Sequence, residues 1–382
     1  MYLKGLVKYP EYLSHQISYK IRSQFRYAWL INDPKNDDRL PPPLVCKLYL
    51  NQACDLRCPM CFLWGETGVY TSADKRPVPQ ELDWSIVQKI FLEIGRYQPT
   101  FILSGGEPLL YSHFRDLAAL LKKYRTCAYI NTNGNHIDKH LEDIEDNPYL
   151  VFYVSLDGTK LVNDKLRGEG VYDKVVSNIR KLKSLRTRHY VGIQFTLMPE
   201  NAGVLYDTCK EAVDLGVDWV LINLRWNLSK EQGTAYEEQL LKDFGVKAWS
   251  HKGYVTPSYP VDIKEFIEQY NRVKRARWPI GVSSYLKKPQ DLERYIHEGY
   301  KNPYNNFCYK QWVRMDVLST GEVTPCTPYP DLTFGSLKTK SVNDIWNGEA
   351  YKKFRQYRRK KVLAVCSKCD CLYLYNKGRV LL

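Results

Sequence analysis

Residues 51–62 read Asn51-Gln52-Ala53-Cys54-Asp55-Leu56-Arg57-Cys58-Pro59-Met60-Cys61-Phe62. The CxxxCxxC spacing puts three thiols, Cys54, Cys58 and Cys61, on one tight loop. Each can bind one iron of a cubane [4Fe–4S] cluster, and because four cysteines are the usual set, one iron is left open to bind a substrate or cofactor directly. The loop follows an apolar run at 44–50 that reads as a strand. In parallel α/β architectures sites form at the carboxyl ends of strands, so the thiols fall where a barrel enzyme works. A zinc site needs a fourth Cys or His nearby, and none lies between Cys61 and His113.

Working outward, short β runs alternate with amphipathic helices. Strands are expected over 44–50, 100–103, 128–132, 151–156, 190–196 and 219–223. Helices are expected over 85–97, 113–123, 138–147, 172–186 and 205–215; Tyr172, Val175, Val176, Ile179 and Leu182 show the i, i+3, i+4, i+7 stripe. Repeated βα units make a parallel sheet, and six strands predict an α/β fold with a partial (β/α)6 barrel, short of the eight of a closed one. Residues 225–306 are less regular and form a bridging region with one more helical stripe, Ile263, Phe266, Ile267, Tyr270 and Val273. Ahead of the barrel, residues 1–43 hold a basic helix over 11–30 and a Pro-rich linker. Leu13, Ile17, Ile21 and Phe25 form an apolar ridge on that helix. The expectation is that the ridge packs on the barrel; the alternative is contact with a membrane or greasy substrate.

Composition narrows the class. The chain has 382 residues, 44% apolar, with a net charge of +14. No apolar run is long enough to span a bilayer, and the first residues do not read as a secretory signal. A cytoplasmic location is expected, where thiols stay reduced. Eleven cysteines then point to metal more than to disulfides, apart from Cys46, Cys127 and Cys209, which read as buried hydrophobes. The positive charge favours anionic partners, but no nucleic-acid-binding motif accompanies it. The basic run at 351–362 reads as a solvated helix side, or alternatively as an anion-binding face.

The Cys54–Cys58–Cys61 loop after the first strand of a βα series resembles the radical S-adenosylmethionine (SAM) superfamily. The resemblance implies that the open iron chelates SAM and that one electron from the cluster yields a 5′-deoxyadenosyl radical, which abstracts hydrogen from a C–H bond. It also implies a flavodoxin- or ferredoxin-type reductant. Ser104-Gly105-Gly106-Glu107-Pro108 is similar to the family's GGEP motif; glycines there let backbone approach the methionine moiety, and Glu107 would meet its ammonium. Asn133 in Asn131-Thr132-Asn133-Gly134 ends strand three. Ser155 and Asp157, in Ser155-Leu156-Asp157-Gly158, would alternate onto one face and point at the cofactor. Arg167 reads as a cofactor contact or a surface residue. The run Val191-Gly192-Ile193-Gln194-Phe195-Thr196 departs from the family's GxIxGxxE, so no adenine contact carries over. No general base stands out.

Cys308, Cys326, Cys366, Cys369 and Cys371 gather late in the chain, over 307–382. The spacing, with Gly321 five residues before Cys326, resembles the SPASM/Twitch extension of the same superfamily. Cys308, Cys326, Cys366 and Cys369 would hold one auxiliary [4Fe–4S] cluster, with Cys371 spare; structural zinc is the alternative. A fully ligated cluster suits an electron acceptor. The resemblance implies an oxidoreductase whose first substrate class is a ribosomally made peptide, although residues 1–43 are short for a peptide-recognition domain. The alternatives are a small natural product (a sugar, an aminocyclitol or an isoprenoid lipid) and a non-catalytic iron–sulfur electron carrier.

Overall fold

Among the described residues, ten strands form one sheet in the order β10-β9-β8-β1-β2-β3-β4-β5-β6-β7. They are β1 (Val45–Tyr49), β2 (Thr100–Ser104), β3 (Ala128–Thr132), β4 (Leu150–Ser155), β5 (Tyr190–Leu197), β6 (Trp219–Leu224), β7 (Gly281–Ser284), β8 (Arg314–Val317), β9 (Glu322–Thr324) and β10 (Gly335–Ser336). The computed structural model describes residues 8–32, 35, 37, 39–71, 80–256, 260–284, 289–297 and 308–369. Pairing is parallel from β8 through β1 to β7 and antiparallel for β8–β9 and β9–β10. Both faces of the central strands are buried, as β1 shows with Val45, Cys46, Leu48 and Tyr49, which is why they read as near-continuous apolar runs.

The six expected barrel strands are present, but the sheet is longer at both edges. β7 adds to β6; its sequence Gly281-Val282-Ser283-Ser284 has a single apolar side chain, too little to mark a strand. β8 adds to β1 from across residue 307, with Val45 opposite Arg314 and Leu48 opposite Val317. The late cysteine segment is therefore continuous with the barrel sheet.

The connecting helices are α1 (Pro10–Asn32), α2 (Trp84–Ile94), α3 (Phe114–Tyr124), α4 (Leu141–Glu145), α5 (Lys160–Arg167), α6 (Val171–Ser184) and α7 (Leu205–Asp214). Then come α8 (Lys230–Phe244), α9 (Ile263–Arg275), α10 (Pro289–His297), α11 (Lys310–Val313), α12 (Val342–Trp346) and α13 (Glu349–Lys360). Helix α6 buries Val171, Val175, Val176, Ile179 and Leu182, one face of a 3.6-residue period. Cys46, Cys127 and Cys209 are buried.

Helix α1 corrects the expected packing of its ridge. Leu13 is buried, but Ile17, Ile21, Phe25 and Trp29 are exposed, Phe25 by 75%. The inward face carries His15, Tyr19 and Ser23. Polar anchors decide this orientation. Lys8 and Tyr9 each reach Asp218 at 2.7 Å, Tyr12 stacks on Tyr190 at 4.8 Å, Gln16 bonds the Tyr129 hydroxyl and Arg22 donates to the Tyr97 carbonyl. Those partners sit at the amino ends of β2, β3, β5 and β6. The helix thus covers the end of the sheet opposite the cysteine loop and does not line a site built on it. No described helix is long and apolar enough to cross a membrane.

Candidate active site

The first cysteine loop leaves β1 and is clamped by the turn after β2. Gly106 N–H donates to the Asn51 carbonyl (2.9 Å) and Glu107 N–H to the Ala53 carbonyl (2.7 Å). A Cβ on Gly106 would lie 2.0 Å from the Ala53 oxygen, and one on Gly105, at φ +151, 2.4 Å from the Asn51 oxygen. The two glycines are therefore required for backbone to meet the cysteine loop itself. Pro108 opens a short 3₁₀ turn to Leu110. Two backbone N–H groups approach thiol sulfurs at 3.5 Å, Leu56 to Cys54 and Trp64 to Cys61.

Glu107 is buried. Its carboxylate accepts from the Thr132 hydroxyl (2.6 Å), Asn133 N–H (2.7 Å) and Leu109 N–H (3.1 Å), tying the ends of β2 and β3 together. Burial pushes its carboxyl up to about 7, against the pull of those donors. Asn133 reaches Asp55 at 2.7 Å and Cys54 Sγ at 3.9 Å. Asp55 also accepts from Asn135 (2.8 Å) and faces His136 (3.1 Å). Its role as the hub holding the β3 turn to the cysteine loop was not legible, since it is a spacer position inside CxxxCxxC.

Strand β4 ends at Ser155, two residues before Asp157. Ser155 is half-buried at the strand end, whereas Asp157 is fully buried and accepts from Thr196 N–H (2.6 Å). The other Asp157 oxygen meets Arg167 Nη2 at 2.6 Å. Arg167, at the end of α5, is half-buried with its side chain 8% exposed, and its Nη1 lies 3.8 Å from Cys58 Sγ. Asp157 thus aims Arg167 at a cysteine sulfur.

The late cysteines assemble from distant segments. Cys308 and Cys369 are buried in one cluster, with Cys366 and Trp226 packed against it; Cys326 borders the adjoining aromatic core. Cys371 lies outside the described residues. The basic stretch on α13 is solvated only in part: Lys353, Lys360 and Lys361 are exposed, whereas Arg355 and Arg358 are buried, the former over the Trp346 and Tyr351 rings, the latter within electrostatic reach of Cys308, Cys366 and Cys369.

Aromatic rings run between the two cysteine sites. Phe62, next to Cys61, stacks on Tyr254 at 4.8 Å; Tyr254 meets Tyr329 at 4.8 Å; Tyr329 stacks on Trp226 at 6.0 Å. The buried hydroxyls of Tyr49, Tyr254 and Tyr329 have no hydrogen-bond partner among the described residues. Burial raises all three phenols well above the ordinary value, and nearby thiols add to it: Cys61 and Cys54 at Tyr49, Cys326 and Cys61 at Tyr254, Cys326 and Cys369 at Tyr329.

Residues 48–212 match the family model of the radical SAM superfamily, and residues 308–370 match that of the SPASM iron-sulfur cluster-binding domain. The chain is a radical SAM enzyme with a C-terminal SPASM domain. It is 26% identical over 328 residues to pre-heme d1 synthase of Dinoroseobacter shibae, covering 81% of this chain and 74% of the relative. It is 25% identical over 308 residues to the sporulation killing factor maturation protein SkfB of Bacillus subtilis, covering 79% of this chain and 64%, under two thirds, of that relative. The fold resembles Streptococcus suis SuiB bound to precursor peptide SuiA, at TM-score 0.60 and 16% identity, over 91% of this chain and 73% of SuiB.

The cofactors of a radical SAM enzyme with a SPASM domain are a SAM-binding [4Fe–4S] cluster, SAM and an auxiliary iron–sulfur cluster, and the donor sets fit them. The first loop offers thiols met by N–H groups and a guanidinium, the hydrogen-bonding surroundings that cluster sulfurs take. The second offers thiols beside Arg358. Among the described residues no three His, Cys, Asp or Glu side chains converge on one point as the ligands of a single ion would.

Proposed function

We propose that this radical SAM enzyme oxidatively modifies a ribosomally made peptide held between its two cysteine sites. In this reading Cys54, Cys58 and Cys61 hold the SAM-binding cluster, and Cys308, Cys326, Cys366 and Cys369 hold the auxiliary one. Gly105, Gly106, Glu107, Pro108, Asn133, Ser155 and Asp157 shape or support the SAM side. When bound, these groups supply reductive cleavage of SAM, hydrogen abstraction from substrate and an acceptor for the second electron.

The single observation that carries the reading is the set of buried hydroxyls of Tyr49, Tyr254 and Tyr329 between the sites, without a partner among the described residues. Buried polar groups are normally satisfied, and peptide carbonyls and N–H groups are suitable partners. Phe62, Trp226 and the tyrosine rings exclude water around the reacting carbon. The complex of SuiB with its precursor peptide adds a precedent on the same fold. A flavodoxin- or ferredoxin-type donor suits the net charge of +14, and a cytoplasmic location suits the free thiols.

Anaerobic incubation of reconstituted protein with SAM, a chemical reductant and candidate peptides tests this. The expected result is 5′-deoxyadenosine together with a peptide lighter by two hydrogens. 5′-Deoxyadenosine released with a sugar or lipid substrate, and never with a peptide, overturns the peptide reading. A second reading, peripheral membrane contact, is favoured by the exposed Ile17, Ile21, Phe25 and Trp29 ridge, with Lys20 beside it. Pelleting with anionic vesicles is its test, and no binding removes it.

A further inference from the structure

We propose that unlike buried charge sets the reduction potentials of the two centres apart: Arg358 raises that of the SPASM centre, whereas at the first centre Asp157 cancels the charge of Arg167. The inference rests on both sites holding four-iron clusters.

The two arginines are placed alike and balanced differently. Arg167 sends Nη1 toward Cys58 (3.8 Å) and Nη2 into Asp157 (2.6 Å). The pair is neutral overall, so it keeps a donor at the sulfur without adding net charge.

Arg358 is 2% exposed. Its guanidinium is within hydrogen-bonding reach of Cys308 and within electrostatic reach of Cys366 and Cys369. Nη1 donates to the Lys361 carbonyl. No ion pair joins Arg358 to a carboxylate among the described residues, and the charges acting on it are those of the cysteines. Close by, Lys310 and Arg314 share one buried carboxylate, Asp316, at 2.8 and 2.6 Å, and Lys310 also acts on Cys366.

Adding an electron to a cluster adds one negative charge. A buried, uncancelled cation stabilises that reduced form more than the oxidised one, because the surrounding dielectric is low. A neutral arginine–aspartate pair does so far less. The result is a first centre left strongly reducing and a second centre that accepts electrons readily.

The test is a potentiometric titration, followed by EPR, of the full-length protein reconstituted anaerobically. The SPASM centre is expected to reduce at the higher potential. Arg358→Gln is expected to move its equilibrium at least tenfold toward the oxidised form, about 59 mV for a one-electron couple, with the first centre unmoved. Arg358→Lys, which keeps the charge, retains most of the wild-type potential. Asp157→Asn uncovers Arg167 and raises the first centre alone. Unmoved potentials in Arg358→Gln and Asp157→Asn, or equal falls in Arg358→Gln and Arg358→Lys, overturn the charge argument. Should Arg358→Gln lose its auxiliary iron, Arg358→Lys and Asp157→Asn decide. Wild-type protein with about four irons per chain instead of about eight overturns the two-cluster reading itself, which a full iron complement with unmoved potentials does not.

Discussion

The first cysteine site is local and the second is not. Cys54, Cys58 and Cys61 fall within eight residues, and their loop is braced by residues at the ends of β2 to β5. Cys308, Cys326, Cys366 and Cys369 come from segments up to 61 positions apart, brought together because β8 seats on β1 and α13 buries Arg358. A local site is specified by spacing, so its chemistry is readable early. A dispersed site depends on the whole sheet, so losing one distant contact can dissolve it.

The largest expected effect separates the two sites outright. Cys58→Ala abolishes 5′-deoxyadenosine formation while the auxiliary iron stays bound; iron and sulfide counts beside product assay check it. Loss of all iron would show that the sites are not independent. Gly106→Ala attacks the same loop through packing. Its Cβ meets the Ala53 oxygen at 2.0 Å, and overpacking of this kind costs about 1–3 kcal/mol. The expected outcome is lower iron in the first site, read by EPR, with the second unchanged.

Asp316→Asn attacks the second site from beneath. It leaves Lys310 and Arg314 buried without their carboxylate, at a cost of about 3–5 kcal/mol, read by chemical denaturation. Burial alone would raise the Asp316 carboxyl, but Arg314 and Lys310 outweigh it and hold it well below the usual range. Its stabilisation is therefore fully present above the ordinary carboxylate value of 3.8 and is lost as pH falls through the depressed one. Wild-type protein should lose stability in acid below about pH 4 more steeply than Asp316→Asn.

Smaller effects fall between and beyond the sites. Tyr254→Phe keeps both clusters and lowers kcat/KM about tenfold, the ~1.4 kcal/mol of one hydrogen bond made to substrate; unchanged kinetics would mean that the hydroxyl meets no substrate. Phe25→Ser, at the opposite end of the barrel, changes stability by under about 0.5 kcal/mol and leaves turnover untouched. A large loss of turnover would join α1 to the active site.

The six barrel strands, α6 and the GGEP turn were legible because each is a short-range pattern, an apolar run, a 3.6-residue stripe or a glycine pair. The outward turn of α1 was not. Its ridge reads as a packing face, yet the ion pair of Lys8 with Asp218 and the Tyr12–Tyr190 stack hold the opposite face inward. Arg167 and Arg358 were equally opaque, since an arginine on a helix end looks the same whether solvated or buried. Asp157 was legible as a motif residue but not in its role, because its partners Thr196 and Arg167 come from other elements.

By itself the sequence determined the cysteine spacings, the βα alternation and hence the radical SAM and SPASM domains, because these depend on distances of a few residues along the chain. Only the tertiary structure decided which charges are buried beside which sulfurs, since a buried charge acts through space and its strength depends on what else has left water with it. That is how two sites with similar thiols come to have opposite surroundings, Arg167 paired with Asp157 and Arg358 facing the thiols alone among the described residues.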